Sequence, residues 1–231
     1  MAGLFVQQKQ GSNVAASTTL LSGATTTTAG NALALIVTYT GATTTVSPST
    51  GFGTFVEDVS LQHAAAGGVG MHVFTIDACI GFTGQLTITY GASVTRRGLY
   101  LVEMSGIDHY LGGVFPAYQA SPGTGADAVT SGNYNVISPP VYLLGLGWDS
   151  TGGGTGINVG AAAAANYTSQ GTGWLMGDAT FNARLMDARA LASGNIAASF
   201  TAVTGTDTFA ALELAFAESI ASSVLMSQCM Y

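Results

Sequence analysis

Apolar positions in this chain come in short blocks bounded by glycine, threonine and asparagine, and their spacing is that of strands. Leu86, Ile88 and Tyr90 alternate with Thr87 and Thr89, the period of two that turns one strand face to a core and the other to water. The run Asn31 to Thr40 is rich in β-formers, entered at Gly30-Asn31 and left at Gly41. Leu99 to Met104 and Val141 to Trp148 are apolar on both faces, which predicts strands central in a sheet rather than at its edge. Phe209 to Phe216 has the Ala and Leu content of a helix, but its place in the repeat described next assigns it as a strand. Turn residues recur between these blocks and helix signals are scarce. The chain reads as all-β, an antiparallel β-sandwich of the jelly-roll type.

The two halves of the sequence resemble each other. Sliding the chain by 110 positions puts Asp77-Ala78 on Asp187-Ala188, Gly84 on Gly194, Glu103 on Glu213 and Leu99 on Phe209. Leu86 to Tyr90 then falls on Ile196 to Phe200, and with a one-residue slip Leu33, Leu35 and Val37 match Leu144, Leu146 and Trp148. This predicts an internal repeat, 31–106 against 141–216, whose copies pack face to face. No proline-rich or charged linker divides the chain, so 1–217 is read as one domain followed by a tail, 218–231. Long small-residue loops, Ala64 to Gly68, Ser121 to Gly125 and Ser150 to Gly156, lie between the strands, where partner contacts on a rigid sandwich sit. The alanines 161–165 continue the last of them or make one helical turn.

Composition removes several functions. Five Lys or Arg and twelve Asp or Glu among 231 residues give a net charge of −7, and only 7% of the chain is charged, against about 25% in an ordinary soluble domain. With Lys9 as the lone lysine there is no basic field to hold a phosphate backbone, which argues against nucleic acid as a partner. High hydrophobic content with low charge is the reverse of a disordered chain. No window approaches the roughly 18 consecutive apolar residues of a membrane helix, so no membrane partner is expected. The start of the sequence lacks a cationic segment followed by an apolar one, which argues against a cleaved export signal. Cys79 and Cys229 stand far apart and read as two free buried thiols.

Catalytic patterns are weak. The glycine loop Gly152 to Gly156 opens no amphipathic helix and reads as a turning loop, without the setting of a dinucleotide fingerprint. His63, His72 and His109 are isolated in sequence and form no metal-ligand cluster. Asp127 and Asp149 lack the alternating acids of a calcium loop. There is no nucleophile elbow and no Cys–His neighbourhood. No catalytic residue, metal or cofactor is expected, and the protein is read as no enzyme.

The most informative acids are Glu103 and Glu213, each inside an otherwise apolar strand, where an unpartnered carboxylate is costly. Meeting across the sandwich they would make a glycosidase-like pair. As equivalent positions of a repeat they read instead as structural acids, each closing a loop by accepting backbone N–H bonds or one of Arg96, Arg97, Arg184 and Arg189. Trp148, Trp174, Tyr110, Tyr118, Tyr134 and Tyr142 read chiefly as core and interface aromatics, with Trp174 as the candidate glycan contact. The tail carries Ile220, Val224, Leu225, Met230 and Tyr231, an apolar content that predicts an interface with the chain's own sandwich or a neighbouring subunit.

The order of Gly30-Asn31 before an apolar strand, Ser49-Thr-Gly-Phe52, Gly84-Gln-Leu-Thr-Ile-Thr89 and Val102-Glu-Met-Ser-Gly106 resembles a loose group of phage-encoded β-sandwich proteins rich in Thr, Gly and Ala. The resemblance implies a structural protein of the virion: a capsid decoration, a head spike or a tail-associated subunit. It would assemble in the host cytoplasm as a homo-oligomer, taken as a trimer, and pack on other virion proteins. The alternative is a carbohydrate-binding or receptor-binding fibre module that takes a host glycan. No catalytic residue comes with the resemblance.

Overall fold

A computed structural model describes residues 4–42, 44–63, 69–114, 119–120, 128–149, 157–159, 168–175, 182–202 and 208–219. Among them there is no helix. The N-terminal part forms β1 (Leu4–Asn13), β2 (Ser17–Leu21), β3 (Thr25–Thr26), β4 (Ala32–Thr40), β5 (Val46–Pro48), β6 (Val56–His63), β7 (Val69–Ile76), β8 (Thr83–Gly84) and β9 (Thr87–Ser105). The C-terminal part forms β10 (Ile107–Val114), β11 (Gln119–Ala120), β12 (Ala128–Thr130), β13 (Tyr134–Val136), β14 (Val141–Asp149) and β15 (Ile157–Val159). It continues with β16 (Thr168–Leu175), β17 (Asn182–Ala190), β18 (Gly194–Ile196), β19 (Ser199–Ala202) and β20 (Thr208–Glu218). Phe209 to Phe216 is thus strand, its helical composition overridden by sheet packing.

One large sheet runs β1-β9-β4-β7-β6 and the other β10-β20-β14-β17-β16. The same relations recur beside them. The early part of β9 takes β2 and β5 as partners, as β19 takes β12 and β15, and the ribbon β3-β8 is matched by β13-β18. These pairings are all antiparallel. The sequence block Leu86 to Tyr90, from Thr87 on, and the block Leu99 to Met104 fall in one long strand, β9, which leaves β2 and β5 for β1 and β4 near Arg96. That residue has φ 43°, a left-handed value uncommon outside glycine.

Alternation along the strands sorts side chains into three cores. Ala32, Ala34 and Ile36 of β4, Tyr100, Val102 and Met104 of β9, Tyr142, Leu144 and Leu146 of β14, and Leu212, Leu214 and Phe216 of β20 share one cluster. The two large sheets therefore face each other across a common core, a β-sandwich. The opposite face of the first sheet buries Leu33, Leu35, Val37, Leu99 and Leu101 with Leu20, Val46, Ile88 and Tyr90 from its smaller partners. The opposite face of the second buries Val141, Leu143, Met186, Ala211 and Ala215 with Val136, Ala198 and Phe200. Strands covered on both faces are the ones whose sequences run apolar without alternation.

Register corrects the sequence alignment. Leu33 lies between Ile76 and Glu103, and Gly145 lies between Met186 and Glu213. Leu33, Leu35 and Val37 therefore answer to Gly145, Gly147 and Asp149, not to Leu144, Leu146 and Trp148. A one-residue slip would carry every side chain to the other face, and Leu144 and Leu146 indeed point into the shared core. Likewise Ser22 meets Leu86 as Ser131 meets Ala198, so Leu86 answers to Ala198, two residues beyond the Ile196 of the ungapped alignment.

Candidate functional site

Glu103 sits on β9 with Leu99 and Leu101, facing away from the shared core, and is 1% exposed. Its Oε1 accepts the Thr28 backbone N–H at 2.8 Å and the Asn31 Nδ2 at 2.6 Å, and its Oε2 accepts the Gln7 Nε2 at 2.5 Å. Gln7 in turn donates to the Thr26 carbonyl and accepts from the Thr25 hydroxyl. The Asn31 carbonyl takes the Cys79 N–H at 2.7 Å. One buried carboxylate thus fastens the turn before β4 to β9 and to the edge strand β1. Charge-assisted bonds of this kind are the stronger sort.

Glu213 occupies the matching place on β20 and is fully buried. Its Oε2 accepts the Ala198 N–H at 2.8 Å and the Ser131 hydroxyl at 3.0 Å. Ser131 also accepts the Ala198 N–H on its Oγ and donates to the Gly132 carbonyl. Ser22 repeats this pattern, accepting the Leu86 N–H at 2.9 Å and donating to the Gly23 carbonyl at 2.8 Å. The neighbours of both glutamates on their strands fill the shared core. Strand alternation therefore turns the two carboxylates outward on opposite sides of it. They do not converge, and a two-carboxylate cleft needs both acids flanking one bond.

The arginines go elsewhere. Arg97, 2% exposed, donates through its guanidinium to the carbonyls of Thr19 and of Ala15, tying β2 to the bend of β9; burial pulls its pKa down. Arg189 makes a two-point pair with Glu218, at 2.5 and 2.6 Å. The carboxylate is 1% exposed there and the guanidinium 38%, and bonding to the carboxylate raises the arginine's pKa.

The remaining candidates are dispersed. His109 is exposed and contacts its neighbour Asp108 at 2.9 Å, and among the described residues no three His, Cys, Asp or Glu side chains gather to hold a metal ion. Cys79 is a free buried thiol that donates to the Thr28 carbonyl at 3.2 Å, and burial pushes its pKa up. Tyr142 is buried and donates to Asp187 at 2.5 Å, while Tyr110 packs on Phe216 with ring centres 5.3 Å apart. Trp174 lies on β16, at the end of the second sheet's strand order. The residues expected at an interface, Ile220, Val224, Leu225, Met230 and Tyr231, lie outside the described residues, as do Cys229, Tyr118 and the loops at 64–68, 121–125 and 150–156.

One arrangement has no trace in the sequence reading. His72 of β7, 4% exposed, lies between the rings of Tyr39, at 5.8 Å, and Phe74, at 6.1 Å. Its Nδ1 is 2.5 Å from the Glu57 Oε1 on β6. Both line a groove of about 520 Å³ with Thr44, Thr45, Val46, Ser47 and Ser60. The signal was strand pairing: Ser60 stands opposite His72, and Glu57 opposite Phe74, a relation visible only once the β6–β7 register is known. Comparison with family models, with curated proteins and with solved structures gives no match.

Proposed function

We propose that this chain is a structural protein of a phage virion, a capsid-decoration, head-spike or tail-associated subunit that associates with copies of itself and with other virion proteins. The observation that carries this reading is the use of the two buried strand carboxylates. Glu103 and Glu213 hold loops to sheets on opposite sides of a shared core and so do not pair with each other for chemistry. A low charge content and mostly small residues favour flat surfaces that pack against like surfaces, where exposed ion pairs would add little. The recurring strand order supports an internal duplication of a jelly-roll-like unit. The apolar tail, 218–231, is the proposed self-association surface and a trimer the proposed assembly.

Light scattering behind a sizing column tests it. A discrete multiple of the 23.2 kDa chain, three-fold for the trimer, is expected, falling to the monomer when the chain is truncated after Ser219. A monomer at every concentration overturns self-association.

A further inference from the structure

We propose that the groove beside His72 is a binding site for a neutral polyhydroxyl ligand of saccharide size. Its volume, about 520 Å³, falls within the roughly 300–1,000 Å³ usual for small-molecule sites. The His72 Nδ1 lies 2.5 Å from the Glu57 Oε1, so the carboxylate orients the imidazole. This is the same second-group control of an imidazole seen wherever a carboxylate orients a histidine. The ring cannot turn away, because it is held between Tyr39 and Phe74.

The groove thus presents the partly exposed Glu57 carboxylate, the oriented His72 imidazole and the hydroxyls of Thr44, Thr45, Ser47 and Ser60, which donate or accept. That set matches the alternating donors and acceptors of a sugar's hydroxyl groups. No Lys or Arg lines it, and Glu57 is an acid in its wall, which disfavours phosphate, sulfate and sialic acid. Two ligating side chains are too few for a zinc or calcium ion. The site sits on the first sheet's outer side.

The test is a printed array of neutral and sialylated saccharides probed with the full chain. The best neutral saccharide is then titrated while the His72 ring nitrogens are followed by NMR. The expected result is saturable binding of a neutral saccharide that shifts the Nε2 resonance and weakens at least tenfold in Ser60→Val and in Glu57→Gln. Ser60 is exposed on a strand, and valine suits that position, so this variant folds even where a change at His72 would not. Absence of array binding overturns the proposal, as does binding that both variants retain or that only Trp174→Ala abolishes. The particle mass measured by light scattering is expected to be unchanged in both variants, which separates failure of this site from failure of the assembly reading.

Discussion

At the same level of the two central strands, the two sheets fill their outer cores in opposite ways. β4 offers Leu33 and Leu35, fully buried against a layer that includes Leu86 and Ile88. β14 offers Gly145 and Gly147, and the volume comes from the other layer: a Cβ on Gly145 would stand 2.8 Å from the Ala198 Cβ, and one on Gly147 would stand 2.5 Å from the Phe200 ring. A leucine–isoleucine match on one side has become a glycine–phenylalanine match on the other. Cores tolerate such exchanges when total volume and patterning are kept. The difference teaches that the recurring strand order rests on which face is apolar, not on which residue supplies the bulk.

The glutamates differ in the same manner. Glu103 is met by Thr28, Asn31 and Gln7, and Glu213 by Ala198 and Ser131. The acid keeps its position while the donors change. Removing it should give the largest effect. Glu103→Ala leaves three donors facing a dry site and is expected to lower unfolding stability by about 3–5 kcal/mol, since each unsatisfied buried group costs about 1–3 kcal/mol. Urea unfolding followed by circular dichroism checks this. Adding Asn31→Ala to that variant should cost little more, because the partner is already lost. A loss below about 1 kcal/mol would show that water replaces the carboxylate and that the acid is no fastening.

Next in size is the exchange of volume itself. Gly147→Ala places a methyl group against the Phe200 ring, and overpacking of this kind costs about 1–3 kcal/mol. Phe200→Leu in the same chain should restore part of that loss, because it recreates the aliphatic match of β4 and β9. Thermal unfolding of the two single variants and the double variant gives the coupling. If the second change adds to the first instead of offsetting it, the two outer cores are not alternative solutions of one packing problem.

The strands were legible because period-two alternation and doubly apolar runs are local facts. So was the need of Glu103 and Glu213 for partners, since a charge inside an apolar strand demands them. Their actual donors were not, because Thr28 and Ser131 reach them only through turns whose course is set by the whole sheet. Register was lost for a related reason. Ala32 to Val37 is apolar at every position, so nothing in it marks which face is which, and a slip of one residue looked as good as a slip of two. The pair Ser22-Gly23 and Ser131-Gly132 carried the offset that the strand pairing shows there, but a rigid shift of 110 passes it by. The His72 groove draws on two strands, β6 and β7, and on the segment around β5, and only their pairing brings its residues together.

The smallest expected effect concerns the edge of the first sheet. Asp58 stands at the irregularity of β6 between Glu57 and Val59 and accepts the Thr75 hydroxyl at 2.7 Å. Burial raises its pKa, the Thr75 bond opposes this, and the nearby Asp77 charge adds to the rise. Asp77 in turn accepts the Tyr110 N–H from the other sheet at 3.1 Å, so two acids crowd the junction of the sheets. A carboxyl whose folded pKa lies above its unfolded value binds its proton more tightly when folded. Its stabilising contribution is therefore full below the unfolded value, about 3.9, and is lost as pH rises through the folded one. Asp58→Asn keeps an acceptor for Thr75 and removes the titration. The stability of the native chain relative to this variant should accordingly fall as pH rises from the ordinary carboxylate range towards neutrality, as read from urea midpoints of both proteins. Parallel midpoints across that range would mean that the edge is open enough for water to screen both acids, and that the junction on this side is held by packing alone.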